Sequence, residues 1–566
     1  MPIERRQFLE SCSALGLTGL FPGALYAQLD DDDEVITVDH IAAAEAIAGL
    51  SLSDEERQMM VEDLNENLEG YMALRSIDIP NHLGPADTFD PRIGGARLPA
   101  GDAEGAWQPT PVDRPSDDED LAFKTVAELA YLLRERAVTS VELTELYLDR
   151  LRRYDDTLEM VITYTEDRAM EQARRADREL DAGEWRGPLH GVPWGAKDLL
   201  AVEGYPTTWG ATPYQDQTID VTAAPVEKLD EAGAVLIAKL TLGALAWGDV
   251  WFDGQTKNPW NPEQGSSGSS AGSGAAVAAG CVGFALGTET LGSIVSPSTR
   301  NGVTGHRPTF GAVSRHGAMA LAWTLDKIGP MARSAEGCAL VFDAIHGADD
   351  RDPSTVDMPF GFDATLDVSE LRVGYVDSAF EGDYLNQDAD QQTLDVLEGL
   401  GVDLEPMDLP TGIPVDALLN ALDVEAAAAF DELTRSGGID EMVRQEDDAW
   451  PHTFRTARFV PAVEHMQMRR LRTELMRRMH ETMAKVDAFV SPSFRGGTLQ
   501  ITNLTGHPCV CLPNAFHELE DDPESPRRRP RSITFVGRLY HDDTMLALAH
   551  AYQQATDFHR RRPPIA

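Results

Sequence analysis

The segment from Gly265 to Pro308 constrains the fold of this chain more than any other stretch. It reads GSSGSSAGSGAAVAAGCVGFALGTETLGSIVSPSTRNGVTGHRP, two serine- and glycine-rich turns separated by small apolar residues. Glycine lets the backbone turn tightly and lets other groups approach closely, because it has no Cβ. A flexible linker would not lie between the apolar run 244–247 and a helix predicted over 275–279. We therefore predict two packed, serine-bearing turns that depend on Gly268, Gly272 and Gly292.

Upstream of these turns, one lysine stands in an otherwise apolar run. The run is PLHGVPWGAKDLL, from Pro188 to Leu200, and the lysine is Lys197. Burial disfavours the charged form of an amine, so Lys197 is expected to lose its proton near neutral pH. The alternative is a surface lysine that only supplies charge, but this chain uses arginine for most of its positive charge. A neutral lysine and two serines would be sufficient for acyl transfer.

These residues resemble the amidase signature enzymes, and the likeness extends from about Phe123 to Pro563. The pattern before the lysine is Gly191-Val192-Pro193, and the pattern around the second serine, GTETLGSI, ends at Ile294. Ser269 and Ser293 lie 24 positions apart, as the two serines of the family do. The likeness is weaker between about residues 350 and 480, a region that varies among amidases and often shapes the substrate pocket.

The resemblance implies a Ser-Ser-Lys triad in which each member has one role. Lys197 is the base, Ser269 relays the proton, and Ser293 is the nucleophile that forms an acyl-enzyme. It also implies a cis peptide bond between Gly268 and Ser269. The oxyanion hole would be made by the backbone N–H groups of Thr290, Leu291, Gly292 and Ser293. The residues expected to support the site are Gly268, Ser270, Thr288 and Glu289, with residues 491–493 and 503–506 lining it.

The fold implied is α/β, the amidase signature fold, with α/β/α layers around a large mixed β-sheet. A single domain from 119 to 566 would carry it. Strand-like apolar runs support this expectation, because they recur between helical segments at 233–240, 371–376, 487–493 and 507–513. The activity implied is hydrolysis of the C–N bond of a linear carboxamide, either a small molecule or a peptide, and this chemistry needs no metal or cofactor.

Three positions depart from the family pattern. Val295 stands where an arginine is usual, Leu291 replaces a glycine, and Glu289 stands where aspartate is commoner. The oxyanion turn must therefore tolerate a side chain, and a buried positive charge near the site is predicted to be missing. Arg300 is the candidate we consider to replace that charge.

The first 27 residues have the features of a twin-arginine export signal. Arg5 and Arg6 precede a moderately apolar run, and Ala27 offers a cleavage edge. An ordinary helix is the alternative, but the glycines and Pro22 disfavour it. Residues 28–118 are predicted to be a helical accessory arm followed by a proline- and glycine-rich tether from residue 91. The location predicted is periplasmic or extracellular.

The charge of the chain limits its partners. The formal net charge is −46, which disfavours binding to nucleic acid through a general basic surface. We predict that the arginine clusters 527–531 and 560–562 are solvated counter-charges to an acidic surface. The arginine-rich, acidic composition is typical of a salt-adapted or GC-rich prokaryote. No stretch reaches the length of about 18 apolar residues that a membrane span needs. The oligomeric state stays open, and a homodimer is one arrangement the sequence allows.

Four cysteines lie beyond the predicted signal, and their spacing matches no metal site. We interpret them as small core residues, and leave disulfide formation between them open. They are Cys281, Cys338, Cys509 and Cys511.

Three alternatives to this interpretation remain. Gly268 to Gly272 also satisfies G-x-S-x-G, which would make Ser270 the nucleophile of an α/β-hydrolase elbow, but the residues before it, NPWNPEQGSS, are predicted not to form the required strand. The chain also resembles the glutaminase-type A subunit of the tRNA-dependent amidotransferases. The third alternative is a secreted binding protein on the same fold without catalysis, against which the complete set of Lys197, Ser269 and Ser293 argues.

Overall fold

The computed structural model describes residues 35–99, 107 and 109–565. These residues form two compact units, one of residues 35–83 with 459–463 and one of residues 84–458 with 464–565. The predicted export signal, residues 1–27, lies outside the described residues.

The smaller unit is built on two helices, α1 (Val38–Ala48) and α2 (Asp54–Arg75). The first ends at Gly49, whose φ of 68° is the left-handed conformation that suits glycine. The second begins with a capping box, in which Ser53 accepts the N–H of Glu56 and the Glu56 carboxylate accepts the N–H of Ser53. The helical pattern expected across residues 42–74 is thus divided by a turn.

The larger unit is organised around a mixed sheet of 11 strands in the order β1-β3-β2-β8-β10-β9-β14-β15-β13-β11-β12. Parallel pairing joins β2 to β3 and β8, and joins β11 to β12 and β13, while the other neighbours are antiparallel. The strands, including two short ribbons β4–β5 and β6–β7, are β1 Val161–Tyr164, β2 Pro193–Lys197, β3 Val235–Leu240, β4 Val250–Trp251, β5 Gly254–Gln255, β6 Lys257–Asn258, β7 Asn261–Gly265, β8 Phe284–Glu289, β9 Thr304–Arg307, β10 Lys327–Ala332, β11 Arg372–Val376, β12 Asp403–Met407, β13 Ala488–Pro492, β14 Cys509–His517 and β15 Arg529–Gly537.

Helices alternate with these strands along the chain. They are α3 Asp118–Ala122, α4 Val126–Arg134, α5 Ser140–Leu158, α6 Glu166–Asp181, α7 Ala224–Glu231, α8 Ala271–Ala278, α9 Val295–Asn301, α10 Ala335–Ile345, α11 Asp377–Phe380, α12 Gln387–Gly399, α13 Val415–Leu418, α14 Asn420–Ala429, α15 Asp431–Arg435, α16 Trp450–Ala457, α17 Ala462–Met483, α18 Thr498–Thr505 and α19 Asp542–Ala555. Short 3-10 turns occur at Pro91–Gly94, Thr212–Tyr214, Ala244–Ala246, Val368–Glu370, Gly438–Glu441 and Phe558–Arg560. The predicted α/β fold around a large mixed sheet is confirmed.

The strand order brings three distant sequence segments to one end of the sheet. β2 and β8 are parallel neighbours, so their last residues, Lys197 and Glu289, lie at the same end. β10 runs antiparallel to β8 and pairs its first residue, Lys327, with Glu289. The parallel pairing of β2 with β8 therefore places the lysine beside the serine turn that follows β8.

The larger unit begins earlier than the sequence indicated. The sequence predicts a domain from residue 119, whereas the compact unit starts at Gly84. The ring of Phe89 meets that of Phe310 edge-on at 4.9 Å, and the Arg472 guanidinium lies 3.8 Å from the Phe89 ring centroid. Pro91, at the start of the predicted tether, is buried. Aromatic and proline side chains hold this segment on the unit where composition alone indicated a linker.

The residues before Ser266 do form a strand, β7, so the prediction that they could not was wrong. This strand belongs to a two-stranded ribbon with β6 and not to the large sheet. The four cysteines beyond the predicted signal are buried and free. In the part of the chain that the structure describes, no helix is both long and apolar enough to cross a membrane.

Asp542 at the start of α19 holds the end of β9 in place, and this contact can be tested. Its buried carboxylate accepts hydrogen bonds from His306 Nε2 (3.0 Å), the Thr309 N–H (3.0 Å) and Thr309 Oγ1 (2.7 Å). Asp542→Ala would leave these groups buried without an acceptor, and we expect it to lower the free energy of unfolding by about 3 kcal/mol, measured by urea denaturation. The matched control is Asp543→Ala, which changes the same charge in the same helical turn; an equal loss in both variants would contradict the assignment.

Candidate active site

Lys197 lies at the end of β2 with its amine fully buried. Nζ is 2.8 Å from Ser269 Oγ, 2.8 Å from Thr288 Oγ1 and 3.1 Å from Ser270 Oγ. Burial holds the pKa of Lys197 well below its ordinary value, although the negative charges of Asp326 and Glu289 act in the opposite direction. The neutral amine, which is the form a base requires, is therefore accessible at a lower pH than for an ordinary lysine.

The Ser270 hydroxyl is fully occupied by hydrogen bonds. Its proton is donated to the Thr288 carbonyl oxygen (3.1 Å), and its oxygen accepts the Thr288 N–H (3.1 Å) and the Lys197 amine (3.1 Å). A hydroxyl offers one proton and two lone pairs, so none remains for a substrate. Ser270 therefore anchors the first serine turn to β8.

Ser269 and Ser293 have the more open arrangement. The Ser269 hydroxyl is bonded to Lys197 alone, and the Ser293 hydroxyl makes no hydrogen bond to any described residue. Ser293 retains 9% exposure, whereas Ser270 has none. The two turns are tied together by a hydrogen bond from the Ser270 N–H to the Ser293 carbonyl oxygen (3.2 Å). This arrangement leaves Ser293 Oγ available to a ligand.

The loop before Ser269 approaches another backbone closely. A Cβ on Gly268 would lie 1.8 Å from the carbonyl oxygen of Gly248, so only glycine fits there. The Gly268–Ser269 peptide bond is cis, as the resemblance implied. Asp249 accepts the N–H of Ser267 at 2.8 Å and fixes the entry to the loop.

The turn from Thr290 to Ser293 presents free backbone donors. In the described chain, the N–H groups of Thr290, Leu291, Gly292 and Ser293 donate no hydrogen bond to protein. Gly292 has a φ of 84°, a conformation that suits glycine. Leu291 is accommodated because its side chain packs against the hydrophobic core. Unused N–H groups beside a serine hydroxyl are suited to stabilising an oxyanion.

Glu289 braces this turn from beneath. Its Oε2 accepts the N–H of Ile294 (2.9 Å) and of Val295 (3.0 Å), directly after Ser293. Its Oε1 accepts Arg307 Nη1 (2.8 Å) and Asn503 Nδ2 (2.9 Å). Burial would raise the pKa of Glu289, but Arg307, Lys327 and these N–H groups lower it to about 2. The carboxylate is thus charged at neutral pH and fixes the backbone around Ser293.

Two charged side chains, Asp326 and Lys327, hold Thr290 in place. Thr290 Oγ1 donates to Asp326 at 2.6 Å, and the Thr290 carbonyl oxygen accepts from Lys327 at 3.4 Å. Lys327 also donates to Asn503 Oδ1 at 2.7 Å. Burial lowers the pKa of Lys327 well below its ordinary value and raises the pKa of Asp326. The Lys327 amine therefore contacts Thr290 and Asn503, whereas the Lys197 amine contacts the serines.

The prediction of a missing buried charge was wrong. Arg307, at the end of β9, is fully buried and forms an ion pair with Glu289. Arg300, which we had considered for this role, is exposed and donates to Gln264. Val295 is buried and has no part in charge compensation. The residues missed from the sequence, Arg307 and Asp326, carry a signal like that of Lys197, because each is charged within a largely apolar or glycine-rich run.

The expected site residues therefore lie together around Lys197, with Asn503 among them. Ser491 and Ser493 lie deeper, in buried hydroxyl contacts with Thr498 and with Ser532. Among the described residues, no group of three or more histidine, cysteine, aspartate or glutamate side chains is arranged to hold a metal ion.

Comparison of the chain with known proteins identifies its family. The amidase family model matches residues 142–519. The A subunit of the glutamyl-tRNA(Gln) amidotransferase of Moorella thermoacetica is 32% identical over 498 residues, which is 79% of this chain and 99% of the relative.

Solved structures agree. The native peptide amidase of Stenotrophomonas maltophilia superposes with a TM-score of 0.68 at 28% identity, covering 78% of this chain and 98% of that one. An amidase family protein from Bacillus anthracis gives a TM-score of 0.68 at 25% identity, covering 79% and 93%. The chain belongs to the amidase signature family and is an amidohydrolase.

Proposed function

We propose that this amidohydrolase cleaves the C–N bond of a linear carboxamide through an acyl-enzyme on Ser293, with Ser269 as proton relay and Lys197 as base. The observation that carries the proposal is the fully buried Lys197 amine 2.8 Å from Ser269 Oγ. Burial favours the neutral amine, which a base requires. Ser293 then supplies the unbonded hydroxyl, next to free backbone N–H groups.

The hydrogen bonds around Lys197 assign its protons. A neutral amine has two N–H groups and one lone pair. Ser270 must accept one N–H, because its own proton is committed to the Thr288 carbonyl oxygen. Thr288 Oγ1 accepts the second N–H at 2.8 Å. The lone pair is then left for the Ser269 hydroxyl proton, so the amine draws protons through Ser269.

The reaction follows in two halves. Ser293 Oγ bonds to the amide carbon as its proton passes to Ser269 and the Ser269 proton passes to Lys197. The carbonyl oxygen becomes an oxyanion held by the N–H groups of the turn. The relay returns a proton to the nitrogen, the C–N bond breaks, and ammonia or an amine leaves. Water then attacks the ester by the same path, which releases the carboxylate and restores Ser293.

Aromatic side chains near the first turn bear on the acyl part of the substrate. Trp247 is 44% exposed and its ring lies 5.2 Å from that of Trp450. The next residue, Gly248, is the one that Gly268 packs against. Trp251 and Phe252, in contrast, pack on one another, and Trp251 is buried. We propose Trp247 as an apolar contact for the acyl group of a small or peptide amide.

A second candidate is the glutaminase activity of an amidotransferase A subunit. The 32% identity to such a subunit favours it. The net charge of −46 is unfavourable for a complex with tRNA, and the predicted export signal would remove the chain from the cytosol. Comparing glutamine with aromatic and aliphatic amides as substrates separates the two candidates, since a glutaminase subunit would prefer glutamine.

The assignment of Ser293 as the nucleophile can be tested by substitution. Ser293→Ala is expected to abolish labelling by a fluorophosphonate and to lower amide hydrolysis by at least about a thousandfold, because the acyl-enzyme can no longer form. Intact mass of the full-length protein measures the adduct, and peptide mapping locates it. Ser270→Ala is the matched serine control and should keep an adduct on Ser293. An adduct on Ser270 in the wild type would overturn the assignment.

The role of Lys197 as base predicts how activity depends on pH. Protonation of Lys197 removes the base, so kcat/KM should fall as pH drops through its folded-state pKa, which burial places well below the ordinary lysine value. The loss of activity should therefore lie well below the pH at which an ordinary lysine titrates, and Glu289, with a pKa of about 2, stays charged at neutral pH. Lys197→Arg should be inactive at every pH, because arginine stays protonated. Lys228→Arg, a half-buried lysine outside the site, is the control; activity that rises only above pH 10 would contradict the proposal.

The cellular location of the protein can also be tested, and this prediction rests on the sequence alone. We propose that the chain is exported by the twin-arginine route. In a bacterial host with that route, the chain should reach the periplasm and lose about 27 residues, as judged by fractionation and N-terminal sequencing. Arg5→Lys with Arg6→Lys should keep it in the cytoplasm unprocessed. The same double change at Arg527 and Arg528 is the control and should leave export intact.

A further inference from the structure

A cavity of about 380 Å³ lies in the larger unit away from the triad. It is lined by five cationic side chains and three carboxylates, although the chain as a whole carries a net charge of −46. Its volume falls within the range of about 300–1,000 Å³ that small-molecule sites occupy. The cationic lining residues are Arg114, Lys124, Arg333, Arg560 and Arg562.

The cavity includes an arginine cluster that we predicted to be solvated counter-charge. Arg560 and Arg562 follow the last helix and reach back to the start of the domain, where Arg562 pairs with Asp120 at 2.6 Å. Arg560 and Lys124 share one carboxylate, Glu128, at 3.6 Å and 3.4 Å. The cluster therefore converges on a concave site, and its carboxylates are fewer than its cations.

Arg333 at this cavity is the buried arginine with the poorest partners. Four arginines are buried in the described chain, and three of them have short contacts. Arg307 pairs with Glu289 at 2.8 Å, Arg150 bonds the Gly280 carbonyl oxygen at 2.7 Å, and Arg472 bonds the Leu504 carbonyl oxygen at 2.6 Å.

Arg333 reaches only the carbonyl oxygens of Val277 (3.5 Å) and Arg561 (3.2 Å), and no described carboxylate lies within 4 Å of it. Its guanidinium and that of Arg562 lie 4.6 Å and 4.7 Å from the same ring, Phe123. Burial and the neighbouring Arg562 lower the pKa of Arg333 to about 10, so it remains charged at neutral pH. A buried cation with this surrounding lacks its counter-charge.

We propose that this cavity binds a small molecule bearing a carboxylate or phosphate group, with the oxyanion between Arg333 and Arg562. Guanidinium groups match planar carboxylates and phosphates with paired N–H donors. Arg333 directly follows β10, whose other end carries Lys327, so the cavity lies about 20 Å from the catalytic end of that strand. The site is thus separate from the oxyanion hole.

The test is isothermal titration of the full-length protein with inorganic phosphate and with benzoate, in sodium chloride of matched ionic strength. We expect saturable binding of at least one probe, weakened about tenfold or more in Arg562→Gln, which removes one charged contact. Binding of phosphate alone would identify an inorganic or phosphorylated ligand, and binding of benzoate an organic carboxylate.

Three variants make the result decisive. Arg333→Gln should also weaken binding, and the partly exposed Arg562 provides the test if that buried substitution prevents folding. Arg372→Gln removes an exposed arginine that also pairs with a carboxylate, Asp487, and should leave binding unchanged. Ser293→Ala should bind as the wild type does, which separates this cavity from the catalytic centre. No saturable binding above the chloride background, or binding insensitive to Arg562→Gln, would overturn the proposal.

Discussion

Placement of the Lys197 amine in a fully buried pocket lined by hydroxyl groups is the constraint on which the site depends. The amine contacts the first serine turn and Thr288 near the end of β8, because the parallel pairing of β2 with β8 puts the ends of the two strands side by side. Ser270 uses its hydroxyl entirely to anchor the first turn to Thr288. Two adjacent serines thus differ, since the Ser270 hydroxyl is bound to the backbone of Thr288 whereas the Ser269 hydroxyl is bonded only to Lys197.

The buried pair of Glu289 and Arg307 performs a different task. Removing two charges from water is costly, and a buried pair is retained where it also fixes geometry. Here the Glu289 carboxylate accepts the N–H groups of the two residues after Ser293, Ile294 and Val295. The four N–H groups before them, from Thr290 to Ser293, donate to no described residue. The chain compensates the charge of Glu289 without an arginine at position 295, because Arg307 at the end of β9 pairs with Glu289. In the sheet, β9 lies on the far side of β10 from β8, which carries Glu289.

Local signals made part of this site predictable. The spacing of Ser269 and Ser293, the glycines around them and the lone lysine in an apolar run are all visible within short windows of sequence. Arg307 was missed, and Asn503 was predicted only as a lining residue, because their contacts with Glu289 depend on the order and register of strands far apart in sequence. The attachment of residues 84–99 also escaped prediction, since the composition of that segment matches a linker while Phe89 and Pro91 act as anchors.

Buried cations in a strongly acidic chain show how charge is distributed. Surface carboxylates account for the net charge of −46, yet the interior carries arginines and lysines that each need an acceptor. Glu289 serves Arg307, and Asp198 serves Lys239 at 2.6 Å. Lys197 meets hydroxyls instead of a carboxylate, and burial holds its pKa well below the ordinary lysine value. Among the described residues no carboxylate pairs with Lys197 or with Arg333, and both proposals rest on this, proton transfer through the first and anion binding beside the second.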